Sequence, residues 1–101
     1  MSEELQEGLS TDKDSNLLFP VFLKLEQLKL LIIGGGPIAL EKLHAVLNNS
    51  PACQIQLVAR EISSEVKTFS KAYPLLSLHE REYSIEDIQT CDLVIAAVNN
   101  I

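Results

Sequence analysis

Short apolar runs alternate with amphipathic segments along most of this chain. Continuous apolar or alternating runs predict four strands, at residues 28–33, 54–59, 76–82 and 92–98. Between them, apolar positions recur at helical spacing over residues 38–47 and 63–73, where the second segment ends before Pro74. A shorter helical turn is predicted over residues 85–89, with Ser84 as its N-cap.

This alternation of strands and helices predicts an α/β fold with a parallel, doubly wound sheet. Right-handed crossovers place the four strands in the order 3-2-1-4, which is a Rossmann-like half domain. A doubly wound domain normally continues after its fourth strand, whereas this chain stops three residues beyond it. We therefore expect a truncated domain.

The N-terminal region differs from the rest in composition. Residues 1–16 are polar and carry five of the fourteen acids and one of the eight bases, so that −4 of the net charge of −6 lies there. They predict a disordered acidic tail, and residues 17–101 then form the folded domain. Residues 17–25 are apolar and extended, and Pro20 excludes a central strand. We expect this segment to pack at a sheet edge or against a helix.

Composition excludes several classes of function. No apolar run approaches the roughly 20 residues of a transmembrane helix, and the acidic balance gives no nucleic-acid surface. The N-terminus lacks the features of a secretory signal, and Cys53 and Cys91 have no metal-binding spacing. A cytoplasmic protein with two reduced thiols, without a metal or membrane site, is the resulting interpretation. His44 and His79 are assigned to the surface or to an edge.

The candidate chemistry lies in the turn after the first strand. Gly34, Gly36 and Ala39 form a G-x-G-x-x-A pattern between a buried strand and a helix, the context of a dinucleotide-binding turn. Gly34 permits the tight turn, Gly36 lets a pyrophosphate approach the backbone, and Ala39 lets the helix lie close to the strand. Pro37 suits the first helical position, where its missing N–H has no intrahelical partner.

Two further groups complete the predicted site. Arg60 and Glu61 follow the second strand, where an acid would accept from the ribose 2′-hydroxyl and an arginine would receive a 2′-phosphate. Both residue types are present, so NAD and NADP stay open from the residues alone. Val98, Asn99 and Asn100 end the fourth strand, and the asparagines are placed to contact a nicotinamide ribose or a substrate carboxylate, or to form an ordinary turn.

From Leu18 onward the sequence resembles the N-terminal domain of siroheme synthases, the family of precorrin-2 dehydrogenases and sirohydrochlorin ferrochelatases. The resemblance rests on FPVFL at residues 19–23, LLIIGGGPIALEK at 30–42, LVARE at 57–61 and DLVIAAVNN at 92–100. It implies an NAD-binding half-Rossmann domain. It also implies oxidation of the tetrapyrrole precorrin-2 to sirohydrochlorin, with Fe²⁺ insertion in bifunctional members, by a homodimer.

Carried over by position, the resemblance assigns cofactor contacts to nine residues: Gly34, Gly35, Gly36, Pro37, Ile38, Arg60, Glu61, Val98 and Asn99. The family's catalytic aspartate follows the next strand, beyond Ile101, so no catalytic residue is expected within this chain. Two other hypotheses stay open. One is a non-catalytic nucleotide-sensing module, and the other is a dehydrogenase of another substrate class on the same half-fold.

Overall fold

Parallel strands and helices alternate along the chain in the structure, a computed structural model that describes residues 20–98. The strands are β1 (Lys29–Ile33), β2 (Gln54–Ala59), β3 (Leu76–Glu80) and β4 (Leu93–Ala96). The helices are α1 (Pro37–Asn49), α2 (Ser64–Ser70) and α3 (Ile85–Gln89). The sheet order is β3-β2-β1-β4 with every neighbouring pair parallel, which confirms the predicted α/β half-Rossmann sheet. The predicted acidic tail, residues 1–16, lies outside the described residues.

The core forms where the two central strands meet α1. Leu31 and Ile32 of β1 and Leu57 and Val58 of β2 are fully buried, as expected for strands covered on both faces. The buried stripe of α1 consists of Ala39, Leu43, Val46 and Leu47. This packing fixes the start of α1 against the carboxyl end of β1.

The fourth strand is less buried than the apolar run at residues 92–98 predicts. Its residues alternate between half-buried and exposed, and Val94 is 38% exposed. Among residues 20–98, β4 pairs only with β1 and therefore has one covered edge. An edge strand lacks the second neighbour and much of the covering layer that bury a central strand.

The segment before β1 also departs from prediction. Residues 20–24 are exposed, and the Phe22 side chain is 99% exposed, so this part does not pack at an edge or on a helix. Pro20 lacks the N–H that a strand ladder needs, and contact with the core begins only at Leu25. Leu25–Gln27 form a 3₁₀ turn that the pattern did not predict.

Three element ends were predicted too late, one of them that of β4, which ends at Ala96 rather than at residue 98. Helix α2 ends at Ser70, three residues early, because the backbone N–H groups of Lys71 and Tyr73 bond three residues back, to Thr68 and Ser70. Strand β3 ends at Glu80, since the Arg81 N–H bonds the carbonyl of His79 and leaves the ladder. The early end of β3 matters for the site, because the residues after it form a loop that lines the cleft. No helix within residues 20–98 is long and apolar enough to cross a membrane.

Candidate dinucleotide site

A cleft of about 1240 Å³ lies at the carboxyl ends of the strands. This is the edge where open α/β sheets bind ligands, beside the point at which the strand order reverses. Eight of the nine predicted site residues line the cleft: Gly34, Gly35, Gly36, Pro37, Ile38, Arg60, Glu61 and Val98. The ninth, Asn99, lies outside the described residues. The remaining lining residues are Ile33, Val58, Ala59, Arg81, Glu82, Tyr83, Ser84, Ile85, Ile88 and Ala97.

Gly34 makes the tight turn out of β1. Its φ of 137° lies in a region that side chains with a Cβ rarely adopt. A Cβ there would also stand 2.3 Å from the Ala97 carbonyl oxygen. The Gly34 N–H donates to the Val58 carbonyl at 3.0 Å, so the turn stays attached to β2. The role predicted for this glycine fits its conformation.

Gly35 has a role that sequence reasoning did not identify. A Cβ on Gly35 would lie 2.3 Å from the Glu61 carbonyl oxygen and 2.9 Å from the Ile62 Cα. The Gly35 carbonyl accepts a 2.8 Å hydrogen bond from the Ser63 N–H. The glycine therefore lets the loop after β2 pass directly beside the turn after β1, which brings the two halves of the candidate site together.

Gly36 is different, because its missing side chain leaves open space. A Cβ built there meets no neighbouring heavy atom within 4 Å, although the residue lines the cleft. Gly36 is the N-cap of α1 and offers no side chain to its first-turn N–H groups. The first turn contains no acid, and the Ala39 side chain is fully buried beneath it. The helix start thus presents free N–H groups and a positive dipole end, which suit a phosphate.

Arg60 and Glu61 both lie at the cleft and are exposed. The Arg60 guanidinium donates to the Glu82 carboxylate, which comes from the loop after β3. Nearby, Glu80 accepts a 3.0 Å hydrogen bond from the Ile62 N–H and fixes the path of the loop after β2. The arginine therefore faces an acid from the neighbouring strand end.

The β3–α3 loop, residues 81–84, is part of the cleft and was missed from the sequence. The Arg81 guanidinium binds both carboxylate oxygens of Asp87 at 2.8 Å, and the Ser84 N–H donates to the same carboxylate at 2.7 Å. The Arg81 hydrogen bonds, followed by that of Ser84, hold the pKa of buried Asp87 well below its usual range. The predicted topology does indicate this loop, because all strands of a parallel sheet have their carboxyl ends at the same edge, so the residues after β3 lie beside those after β1 and β2.

Apolar side chains form one wall of the cleft. Tyr83 is 53% exposed, Ile85 70%, Ile88 38% and Val98 42%. Apolar groups left open to water beside a polar turn are typical of ligand sites rather than of a bare surface. A planar ring could be bound against this wall while charged groups meet the glycine turn.

We expect Asp87→Asn to lower the free energy of unfolding by about 1–2 kcal/mol at neutral pH, because Arg81 loses its charged acceptor. Because the pKa of Asp87 is lowered in the folded state, this stabilisation is fully present above the unfolded-state pKa of about 4. The stabilisation is lost as the pH falls from there through the folded-state pKa. Urea unfolding across pH 7 to 2 should show the difference between wild type and variant shrinking in acid.

Glu86→Gln is the matched control for this prediction, since it removes one charge from the same helix without removing a side-chain hydrogen bond to Arg81. A difference between wild type and Asp87→Asn that stays constant down to pH 2 would contradict the assignment.

The other candidate groups do not form a second site. Within residues 20–98 no three His, Cys, Asp or Glu side chains are grouped so as to hold a metal ion. His44, on the exposed side of α1, packs its ring against Phe69 at 4.5 Å between centroids. Cys53 is buried, Cys91 is half-buried, and both thiols are free.

Comparison with known proteins agrees with this geometry. Residues 21–101 match the model of a family described as putative NAD(P)-binding. A probable multifunctional siroheme biosynthesis protein of Ruminiclostridium josui is 37% identical over 81% of this chain and 15% of its own length. A precorrin-2 dehydrogenase of Bacillus subtilis is 31% identical over 82% of this chain and 49% of its own. A solved precorrin-2 dehydrogenase, SirC, superposes with a TM-score of 0.70 at 25% identity, covering 82% of this chain and 40% of that one. The chain thus spans at most about half the length of these relatives.

Proposed function

We propose that this chain, which belongs to the family of putative NAD(P)-binding domains, is the NAD-binding part of a precorrin-2 dehydrogenase. Its relatives in that family are siroheme biosynthesis proteins and precorrin-2 dehydrogenases. The observation that carries the proposal is the turn at residues 34–36. Two glycines there are required by the close approach of neighbouring backbone, and the third leaves open space at a helix start. The residues present fit a dinucleotide.

The predicted site residues fall into groups, and we assign each group to the part of the cofactor that its chemistry suits. We assign the pyrophosphate to Gly36 and to the free N–H groups of the first turn of α1. We assign the adenosine ribose to Arg60 and Glu61, at the end of β2. Val98, which lines the cleft, is assigned to the nicotinamide end, and so is Asn99, the next residue in the chain. When bound, NAD supplies the acceptor for a hydride from the substrate.

The substrate, the assembly and the location are further parts of this proposal. We propose precorrin-2 as the substrate, because relatives that match most of this chain are named for its oxidation or for siroheme biosynthesis. The homodimer and the cytoplasmic location expected from the sequence are retained as part of the proposal. The free thiols of Cys53 and Cys91 suit a reducing compartment.

The test is an assay of the full-length protein with precorrin-2 and NAD, following NADH absorbance. We expect NADH to form in step with sirohydrochlorin, and the same protein without NAD to leave precorrin-2 unchanged. Tight NAD binding without any turnover of precorrin-2 would reject the dehydrogenase and favour a nucleotide-sensing module. Hydride transfer from a different reduced substrate would assign the half-fold to another dehydrogenase class.

A further inference from the structure

The ion pair between Arg60 and Glu82 lies inside the candidate cofactor cleft. Arg60 follows β2 and Glu82 follows β3, so the two side chains come from the ends of neighbouring parallel strands. Both residues line the cleft, next to Glu61. The guanidinium that would meet the adenosine ribose is therefore already engaged by a carboxylate.

Glu82 is held in place by its own loop. The Arg81 guanidinium donates to the Glu82 carbonyl at 3.0 Å and to both oxygens of Asp87 at 2.8 Å. This clamp ties the loop backbone to the start of α3. Because the backbone of Glu82 is anchored, its carboxylate is presented to Arg60 rather than left on a free loop.

The ion pair contributes little to the fold. The Arg60 and Glu82 side chains are 77% and 63% exposed, and pairs exposed to this degree are worth about 0–1 kcal/mol. Its consequence is for the charge of the ribose site. Arg60, Glu61 and Glu82 together carry one net negative charge, which disfavours a 2′-phosphate and leaves the Glu61 carboxylate to accept from the ribose hydroxyls.

We propose that Glu82 sets the cofactor preference: it pairs with Arg60 and adds a negative charge beside it, which disfavours a 2′-phosphate there and makes the site select NAD over NADP. The proposal rests on the dinucleotide-binding function proposed above. It assigns the selection to a residue of the loop after β3, whereas the sequence left NAD and NADP undecided at Arg60 and Glu61, which follow β2.

The test is calorimetric titration of the full chain with NAD and, separately, with NADP. In Glu82→Gln the acid is replaced by a neutral group of the same shape, so Arg60 is free to bind a phosphate. We expect NADP to bind roughly tenfold more tightly than it does to wild type, the gain of one charge-assisted contact, while NAD affinity changes less than about threefold. Adding Arg60→Ala to Glu82→Gln should abolish the gain.

Glu86→Gln, which removes a charge from the same region outside the cleft lining, is the matched control and should leave the NAD-to-NADP ratio unchanged. An unchanged ratio in Glu82→Gln with NAD binding intact overturns this inference and leaves the proposed function standing. A gain that persists without Arg60 also overturns it. Failure of wild type to bind either cofactor overturns the proposed function, and the inference with it.

Discussion

Gly35→Ala is expected to lower the free energy of unfolding by about 2–4 kcal/mol. The added methyl would lie 2.3 Å from the Glu61 carbonyl oxygen and 2.9 Å from the Ile62 Cα. Both neighbours are backbone atoms, so no side chain can rotate away. The loop after β2 would have to move and strain the hydrogen bond from Ser63 to Gly35.

The measurement is equilibrium urea unfolding of wild type and variant. Gly36→Ala is the matched control, because the same methyl group meets no neighbouring atom within 4 Å one residue further on. Equal loss of stability in both variants would mean that the close approach of the loop is not what restricts position 35 to glycine.

Gly36→Ala is expected to weaken NAD binding by roughly 10- to 100-fold while lowering the free energy of unfolding by less than about 1 kcal/mol, the size of an N-cap effect. The new methyl occupies the open space at the start of α1, where the proposal places the pyrophosphate. Overpacking of a close contact costs about 1–3 kcal/mol, which corresponds to this range of affinity.

Calorimetric titration of NAD gives the affinity, and Lys42→Ala is the control, since Lys42 is exposed on the same helix and lies outside the cleft lining. Should Gly36→Ala bind NAD as tightly as wild type, the pyrophosphate does not lie against this glycine.

The central part of the fold could be predicted from the sequence because its signals are local. The apolar runs of β1 and β2 and the helical spacing of α1 are burial patterns that depend little on distant residues. The strand order followed from right-handed crossovers in a doubly wound sheet. The glycine turn could be found because it connects a buried strand to a helix.

What could not be predicted depends on contacts between segments distant in sequence. The requirement for Gly35 arises from the Glu61 backbone, which only folding brings alongside it. The partner of Arg60 is Glu82, twenty-two residues away on another strand end. The half-exposed state of β4 and the exposure of residues 20–24 depend on which other segments pack against them. A run of apolar residues in the sequence does not predict those neighbours.

The central claim is that the turn at residues 34–36 binds the pyrophosphate of NAD. Calorimetric titration of NAD into wild type and Gly36→Ala, with urea unfolding of the same samples, tests it most directly. The account predicts saturable one-to-one binding to wild type, and a variant that loses less than about 1 kcal/mol of stability but binds at least tenfold more weakly. Absence of binding to folded wild type, or equal affinity in the two proteins, would contradict it.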